Sequence, residues 1–450
     1  MPTSMGRSWG DWVERFHCRE SGFEGWRARI SQGRGLPTPA VGADGRVYLG
    51  GGFGSHEFYC LDVETGQLAW RLRTGDDGPT AGVLSGSYLA FNTESCTLYV
   101  ADAGTGCVVW QKWLGDPLLS QPAVVGGAAI YAVFPRRGQH WLGAFHLEDG
   151  HALWEQPLSH DAITAVVGVE DKVFLSTFDG KVWCFTAKEG QLLWCEDRQA
   201  TSAPWVVGEK VYVACKRKVA EAGDRRERNT QARRQERAGG ERTNAPYESI
   251  ASVYGKHGKE EMLYNSKFAP YLRAKRGLPG MEGWQEEDAK VGFGAAPASA
   301  KLHIAEDTVG EHLVSRAQRY QGSRPVVVDG ILYQVTGDEL EATNADTGET
   351  IWKWCSHHHG SFERSITPPA VANGRVWAGT LDGRVLCWDA RSGEVQWSVH
   401  VGGPVHWQPA VRGGRVFVGL ETGELVVFAT GNPKDDGWPM WGGGPGHNLN

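Results

Sequence analysis

Six polar or aromatic side chains stand beside short apolar runs and are the first candidates for ligand chemistry in this sequence. An arginine could hold an anionic or carbonyl group, indole rings could stack on a flat ligand, and amide or imidazole groups could fix its orientation. The same groups could instead hydrogen-bond neighbouring turns and water. The candidates are Gln121, Trp205, Arg324, His406, Trp407 and Gln408.

Recognisable catalytic motifs are missing from the sequence. It has no nucleophile elbow, no phosphate-binding glycine loop and no His-Glu-x-x-His zinc motif. Three consecutive histidines, His357–His359, cannot all face one ion from a regular strand, so they indicate a surface loop rather than a metal site. We therefore expect no catalytic residues and no bound metal.

A segment at residues 216–300 differs in composition from the rest of the chain. Its first part mixes arginine with glutamate and contains few large apolar residues, which is typical of a solvated, partly disordered loop. It could also be an arm that binds a partner protein or an anionic polymer such as nucleic acid. The second part is more apolar and is expected to dock on the fold or on the partner. The residues proposed for partner binding are Arg225, Arg226, Arg233, Arg234, Arg237, Tyr264, Phe268, Tyr271 and Trp284.

A repeated pair, glycine followed four residues later by tryptophan, defines the elements that position these side chains. The pair recurs every 40 to 45 residues outside one long gap, and such a period indicates a repeat architecture. Each unit reads as four short strands separated by Gly and Asp turns, which is one blade of a β-propeller. We expect the tryptophans to be structural and to pack between blades. They are Trp26, Trp70, Trp110, Trp154, Trp194, Trp352 and Trp397.

The number of units follows from the long gap between Gly190 and Gly348. A degenerate unit end at Leu302–Val314, with Gly310 in the glycine position and Val314 in the tryptophan position, would complete a fifth blade that contains the 216–300 insertion. The last blade lacks its outer strand, which the N-terminal residues 21–30 would supply. The sequence thus predicts one all-β domain over residues 1–450. It would be an eight-bladed β-propeller of four-stranded blades, with the ring closed by the N-terminal strand.

The fullest repeat copies allow a family comparison. Val47-Tyr-Leu-Gly with Leu61-Asp-Val-Glu-Thr-Gly-Gln-Leu-Ala-Trp70, and Asp382-Gly-Arg-Val with Ser392-Gly-Glu-Val-Gln-Trp397, resemble the pyrroloquinoline-quinone-type repeat of quinoprotein-like eight-bladed propellers. The resemblance covers residues 21–430 except the insertion. The sequence also resembles the outer-membrane assembly lipoproteins, which use such a propeller to hold other proteins. The resemblance therefore implies a non-catalytic scaffold with a protein partner of unknown identity.

The resemblance does not extend to the quinone site. Quinone dehydrogenases of this type stack a disulfide between adjacent cysteines on the cofactor, and Glu, Asn and Asp hold calcium. None of the nine cysteines here are adjacent, and no matching acidic cluster can be placed. We expect no cofactor. The alternative is an enzyme or ligand-binding protein that uses a central funnel, in which Arg324 replaces the charge of the metal.

The termini and the composition indicate the role of the C-terminal tail and the location of the protein. Residues 437–450 form a Trp/Gly/Pro tail that resembles segments accompanying these propellers, and we expect Trp438 and Trp441 to pin it across a face. The net charge of −7 gives no general signal for nucleic-acid binding. No run approaches 18 apolar residues, so no membrane span is expected. The N-terminus has no apolar signal segment, which favours a cytoplasmic location.

Overall fold

The computed structural model describes residues 12–31, 35–52, 54–76, 78–116, 120–218, 247–255, 260–266, 324–336, 339–355 and 366–449. These residues form 33 strands in eight antiparallel sheets, each sheet being built from strands close in sequence except where the two chain ends meet. The all-β propeller predicted from the repeat is confirmed. None of the described residues belongs to a helix with the length and hydropathy needed to cross a bilayer.

Seven sheets contain four consecutive strands each, in chain order. The first sheet contains β3 Ala40–Val41, β4 Arg46–Gly50, β5 Glu57–Asp62 and β6 Leu68–Arg73. The second contains β7 Val83–Ser85, β8 Tyr88–Asn92, β9 Thr97–Asp102 and β10 Val108–Trp113. The third contains β11 Ala123–Val125, β12 Ala129–Arg136, β13 Gln139–His146 and β14 Ala152–Leu158. The next two are β15 Val167–Val169, β16 Lys172–Ser176, β17 Lys181–Thr186 and β18 Leu192–Asp197; and β19 Trp205–Val207, β20 Lys210–Lys218, β21 Tyr247–Gly255 and β22 Glu260–Ser266. The last two are β23 Val326–Val328, β24 Ile331–Thr336, β25 Glu339–Asn344 and β26 Thr350–Cys355; and β27 Ala370–Ala372, β28 Arg375–Gly379, β29 Arg384–Asp389 and β30 Val395–His400.

The remaining sheet joins the two ends of the chain. It contains β1 Val13–His17, β2 Glu24–Arg29, β31 Ala410–Arg412, β32 Arg415–Gly419 and β33 Glu424–Ala429, in the order β1-β2-β33-β32-β31. The prediction that every blade has four strands is therefore wrong: among the described residues seven sheets have four strands, and this one has five. The extra strand arises because the chain before Trp26 turns back at Gly22 and pairs β1 with β2.

The repeated glycine and tryptophan meet across neighbouring sheets. The indole N–H of Trp70 donates to the carbonyl of Ala103 at 2.9 Å, and its ring covers the turn at Gly106. A Cβ atom at Gly106 would lie 2.6 Å from the ring of Trp70. Trp26, Trp110, Trp154 and Trp352 donate to the next sheet in the same way, to the carbonyls of Val63, Leu147, Ala187 and Ala390. Five repeat glycines thus receive the tryptophan of the preceding unit, which explains why the two residue types recur together; they are Gly66, Gly106, Gly150, Gly190 and Gly393.

Substituting Gly106 should therefore lower the free energy of unfolding by more than its backbone conformation alone predicts. Gly106 (φ +73°) and Gly86 (φ +58°) both adopt the left-handed conformation, but no atom lies within 4 Å of a Cβ at Gly86. We expect Gly86→Ala to lower the free energy of unfolding by about 1–2 kcal/mol through backbone strain. Gly106→Ala should lower the free energy of unfolding by a further amount of about 1–3 kcal/mol, because the new methyl group would be overpacked against Trp70. Urea denaturation of both variants measures the difference, and equal losses would contradict the interlocking role.

The fifth sheet departs from the sequence prediction. Met262 on β22 pairs with Val253 immediately before a register shift, and Trp352 pairs with Ala342 at the same place in the next sheet. Met262, and not Val314 as predicted, thus lies at the register position of the tryptophan. The prediction of a single insertion over 216–300 is also wrong, because strands β20, β21 and β22 of this sheet include residues 216–218, 247–255 and 260–266. Methionine in place of tryptophan removed the repeat signal that would have located this blade.

The residues proposed for partner binding in that region are distributed accordingly. Tyr264 lies on β22, where it pairs with Ala251. The others fall in 219–246 or 267–323, outside the described residues: Arg225, Arg226, Arg233, Arg234, Arg237, Phe268, Tyr271 and Trp284.

Candidate functional site

The first strand of each sheet lies at the centre of the ring, and the C-terminal tail runs along several of these strands. Contacts link β3 with β7 and β31, β7 with β11, β11 with β15, and the strands from β19 to β31 in turn. These strands have one edge without a neighbouring strand in their own sheet, so their backbone groups face the centre. The central channel is therefore defined by β3, β7, β11, β15, β19, β23, β27 and β31.

Backbone hydrogen bonds attach the tail to four of these strands. The N–H groups of Val41 and Val411 donate to the carbonyls of Pro439 and Trp438, both at 2.7 Å. On the far side of the ring, Val124 donates to Pro445 and Gly168 donates to Gly446, both at 2.8 Å. The tail thus satisfies edge groups that would otherwise remain unpaired inside the protein.

The side chain of Asn448 extends this pairing to a fifth strand. Its amide group donates to the carbonyl of Val206 at 2.8 Å, and its side-chain oxygen accepts the N–H of Val206 at 2.9 Å. The sequence prediction that Trp438 and Trp441 pin the tail fits this arrangement, since both rings are fully buried. The tail lies within the ring of first strands.

Arg324 is the most unusual of the six predicted site residues. Its side chain is fully buried, and the guanidinium donates to the carbonyls of Pro204 and His447. The guanidinium lies 4.9 Å from the ring centre of Trp205 and 4.6 Å from that of Trp441, so it is held between two indole faces. Burial lowers its pKa to about 9, which still leaves it charged at neutral pH.

Two further predicted residues join Arg324 at the tail. Trp205 stacks on Trp438 with 5.5 Å between ring centres and an angle of 4° between the planes. The side-chain oxygen of Gln408 accepts the N–H of Gly442 at 2.9 Å, and its amide nitrogen donates to Pro369 at 2.7 Å. These side chains therefore bind the protein's own tail.

The other three predicted residues are engaged elsewhere. His406 contacts the carboxylate of Glu421 at 2.8 Å through Nε2. Trp407 is buried and packs against Gly35, where a Cβ atom would lie 2.2 Å from the indole ring. The backbone N–H of Gln121 donates to Thr164, and its side chain is buried. The structure therefore brings Trp205, Arg324 and Gln408 to one place and leaves Gln121, His406 and Trp407 outside that group.

His447 is a titratable group in the tail that the sequence analysis did not single out. It is fully buried, with Nε2 2.8 Å from the carbonyl of Pro122 and Nδ1 3.1 Å from the carbonyl of Trp441. Burial lowers its pKa to about 4, so the ring is neutral at pH 7. The shorter distance favours the tautomer in which Nε2–H donates to Pro122.

Acid should therefore loosen the tail through His447. Because its folded pKa of about 4 lies below the unfolded value of about 6.5, the unfolded chain binds the extra proton first. We expect the free energy of unfolding to fall as the pH drops from 6.5 to 4. In His447→Asn, which tolerates the local φ of +56°, that part of the pH dependence should disappear. Denaturant titrations between pH 4 and 7 test this, and parallel curves for the two proteins would contradict it.

Cysteine and metal chemistry are limited among the residues that the structure describes. Eight of the nine cysteines have side chains that the structure describes, and these are free thiols. Burial raises the pKa of Cys60 and of Cys96 to about 12, which makes both poor nucleophiles. One set of potential metal ligands within this part of the chain, His146, Asp149 and His151, lies on the turn between β13 and β14. The sequence gives no signal of this set, because the three residues occupy ordinary turn positions of the repeat.

Comparison with known proteins gives relatives named as assembly factors and relatives named as dehydrogenases. A family model described as outer membrane protein assembly factor BamB matches residues 59–136, 94–256 and 336–436, which is more than half of the chain. BamB from Yersinia pestis is 24% identical over 202 residues, which cover 39% of this chain and 49% of that protein. The dehydrogenase subunit of a quinone alcohol dehydrogenase from Gluconacetobacter polyoxogenes is 30% identical over 154 residues, covering 26% of this chain and 21% of that protein.

Solved structures share the fold at low sequence identity. BamB from Moraxella catarrhalis matches with a TM-score of 0.58 and 14% identity, covering 90% of this chain and 98% of that chain. A quinohemoprotein alcohol dehydrogenase from Comamonas testosteroni matches with a TM-score of 0.57 and 12% identity, covering 95% and 78%. The match to the family model, together with the repeat and the fold, shows that the chain belongs to the outer membrane protein assembly factor BamB family.

Proposed function

We propose that this protein is a non-catalytic β-propeller that acts as a scaffold for another protein. The main support for the proposal is that the C-terminal tail occupies the central channel. Arg324, Trp205 and Gln408, the groups best suited to hold a ligand there, bind the C-terminal tail. Relatives named as assembly factors support a protein partner.

The outer surface offers a place for that partner. Large apolar side chains on the fourth strands of three consecutive sheets are 38–64% exposed, and neighbouring exposed apolar groups are typical of protein interfaces. We name this set the outer-strand patch; it consists of Val108, Val109, Trp113, Leu153, Leu192 and Leu193. Trp113, at 64%, is the most exposed of them, and tryptophan is one of the residue types enriched at the energetic centres of interfaces.

Substitutions on this patch test the proposal. A triple variant, Trp113→Ser, Leu153→Ser and Leu193→Ser, is compared with a control carrying Ile351→Ser and Val395→Ser, which are exposed on fourth strands of other sheets. Each purified protein is used to capture partners from native extract. We expect a protein retained by the unmodified chain and by the control, and lost with the triple variant. Equal capture by all three would overturn the patch as the binding surface.

A quinone-dependent oxidoreductase is the second candidate function. It is favoured by the 30% identity to a quinone alcohol dehydrogenase subunit, although this chain spans about a fifth of that protein. Calorimetric titration with pyrroloquinoline quinone and calcium, with a dye-linked alcohol oxidation assay, separates the two functions. We expect neither binding nor turnover. Micromolar binding that is lost in a folded Arg324→Gln variant would replace the scaffold proposal by the enzyme.

Two expectations from the sequence remain predictions. Binding of nucleic acid or another anionic polymer would have to use the 216–300 segment, and its affinity would fall steeply with salt. The cytoplasmic location is checked by fractionating cells that produce the full-length protein.

A further inference from the structure

The turn between β13 and β14 carries a different set of side chains from the equivalent turns. In the first, second, sixth and seventh sheets an Asp or Asn leads the turn and a Thr or Ser follows three residues later, as in Asp62 and Thr65, whereas the fourth sheet has Thr186 and Glu189. There the carboxylate of Asp62 accepts the N–H and the hydroxyl of Thr65, at 2.8 and 2.7 Å. The third sheet has His146 and Asp149 at these two places, and His151 follows the turn glycine.

The three side chains converge on one point. Asp149 Oδ1 lies 3.2 Å from Nδ1 of His146 and 2.7 Å from Nδ1 of His151. The two imidazole rings are stacked with 4.9 Å between their centres, and all three ligand atoms lie within 4.8 Å of one another. His146 is partly buried, whereas Asp149 and His151 are exposed, so solvent reaches the group.

The backbone holds this arrangement in place. The N–H of Gly150 donates to the carbonyl of His146 at 2.9 Å, and the N–H of His151 donates to Asp149 at 3.1 Å. Gly150 has a φ of +71° and lies beneath the ring of Trp110, which fixes the turn against the preceding sheet. The ligand atoms are thus preorganised by strands on both sides.

We propose that His146, Asp149 and His151 bind a divalent transition-metal cation of the type that prefers imidazole ligands. Two ring nitrogens and one carboxylate favour zinc, copper or nickel over calcium and magnesium, which prefer oxygen ligands. Ligands about 2.1 Å from a tetrahedral ion lie roughly 3.4 Å from one another, so small movements of the side chains would admit it. Three protein ligands leave a coordination position for water or for a side chain of a partner.

Metal binding requires a change of tautomer at the histidines. Both Nδ1 atoms now face the acceptor oxygen of Asp149, an arrangement that suits N–H donation. With a metal bound, Nδ1 must carry a lone pair, and the hydrogen moves to Nε2.

Zinc calorimetry on the full-length chain tests the site. Cys107 and His357–His359 are first replaced by Ser and Gln, because an exposed thiol and a histidine run bind zinc independently. In this background we compare the original turn with a triple variant, His146→Asp, Asp149→Thr and His151→Gln. We call this variant the restored turn, because it carries the side chains found at the equivalent places in the first sheet. We expect one zinc ion for the original turn and at least about tenfold weaker binding for the restored turn.

A matched control uses another histidine pair. His140 lies 2.6 Å from the carboxylate of Asp161 and stacks on His160, but Nδ1 of His160 already accepts the backbone N–H of Asp161. His140→Gln with His160→Gln should therefore leave zinc affinity unchanged. The proposal is overturned if the original turn binds no zinc, if the restored turn binds it equally, or if the control pair removes the binding. Circular dichroism verifies that each variant is folded.

Discussion

A chain that ends at Asp436 should lose most of its stability. The truncation removes Trp438 and Trp441, both fully buried, and removes the carbonyls that pair with Val41, Val124, Gly168 and Val411. Replacing one buried tryptophan by alanine costs about 3–5 kcal/mol. Because a domain is stabilised by only about 5–15 kcal/mol, losing both should remove cooperative unfolding. Thermal and urea denaturation followed by circular dichroism measure the effect.

Two smaller changes control for the truncation itself. Removing Asn450 alone keeps every tail contact described here and should leave the unfolding midpoint unchanged. Trp441→Leu keeps the backbone of the tail but removes one of the two indole faces that hold Arg324, and it should lower stability by an intermediate amount. A chain ending at Asp436 that melts like the full-length protein would show that the tail does not support the ring.

Deleting residues 1–30 should prevent folding altogether. The deletion removes β2, which pairs with β33 from Gly25↔Phe428 to Arg29↔Glu424. It also removes the donation from the indole of Trp26 to Val63 at 2.8 Å, which ties this sheet to the next one. The open edge of β33 and the uncovered turn at Gly66 would then face solvent and favour aggregation.

Shorter deletions separate the contributions of the two N-terminal strands. Removing residues 1–11 keeps both strands and should have little effect. Removing residues 1–20 takes away β1 and the contact between Glu20 and Arg384, so it should destabilise the protein while leaving it folded. Soluble yield and cooperative melting of the three truncations provide the measurement. Normal melting after deletion of residues 1–30 would contradict the pairing of the chain ends.

The repeated glycine–tryptophan pair was enough to predict the propeller, because its two members interact across neighbouring sheets. The glycine adopts a backbone conformation that few residues tolerate, and a large ring covers it, as Trp70 covers Gly106. Both requirements restrict the residue type strongly. The prediction failed in the fifth sheet, where Met262 lies at the tryptophan position. In this sheet residues 219–246 also separate β20 from β21 in the sequence. A methionine at this register position leaves no recognisable glycine–tryptophan pattern in the sequence.

The candidate site was harder to predict, because its partners are distant in sequence. Arg324 was recognised as a charge near the centre, but its contacts with Pro204 and His447 lie more than 100 residues away. The histidines at 146 and 151 were missed for another reason. Their spacing is that of an ordinary turn, and only the folded turn brings both nitrogens onto the carboxylate of Asp149.

Hydrogen exchange of the channel-facing amides tests most directly whether the C-terminal tail fills the channel. The N–H groups of Val41, Val124 and Gly168 lie on strand edges, where they donate to the carbonyls of Pro439, Pro445 and Gly446. We predict that in the full-length protein these amides exchange as slowly as those of the buried central strands. Exchange as fast as that of exposed turns would contradict the account and leave the channel open to a ligand.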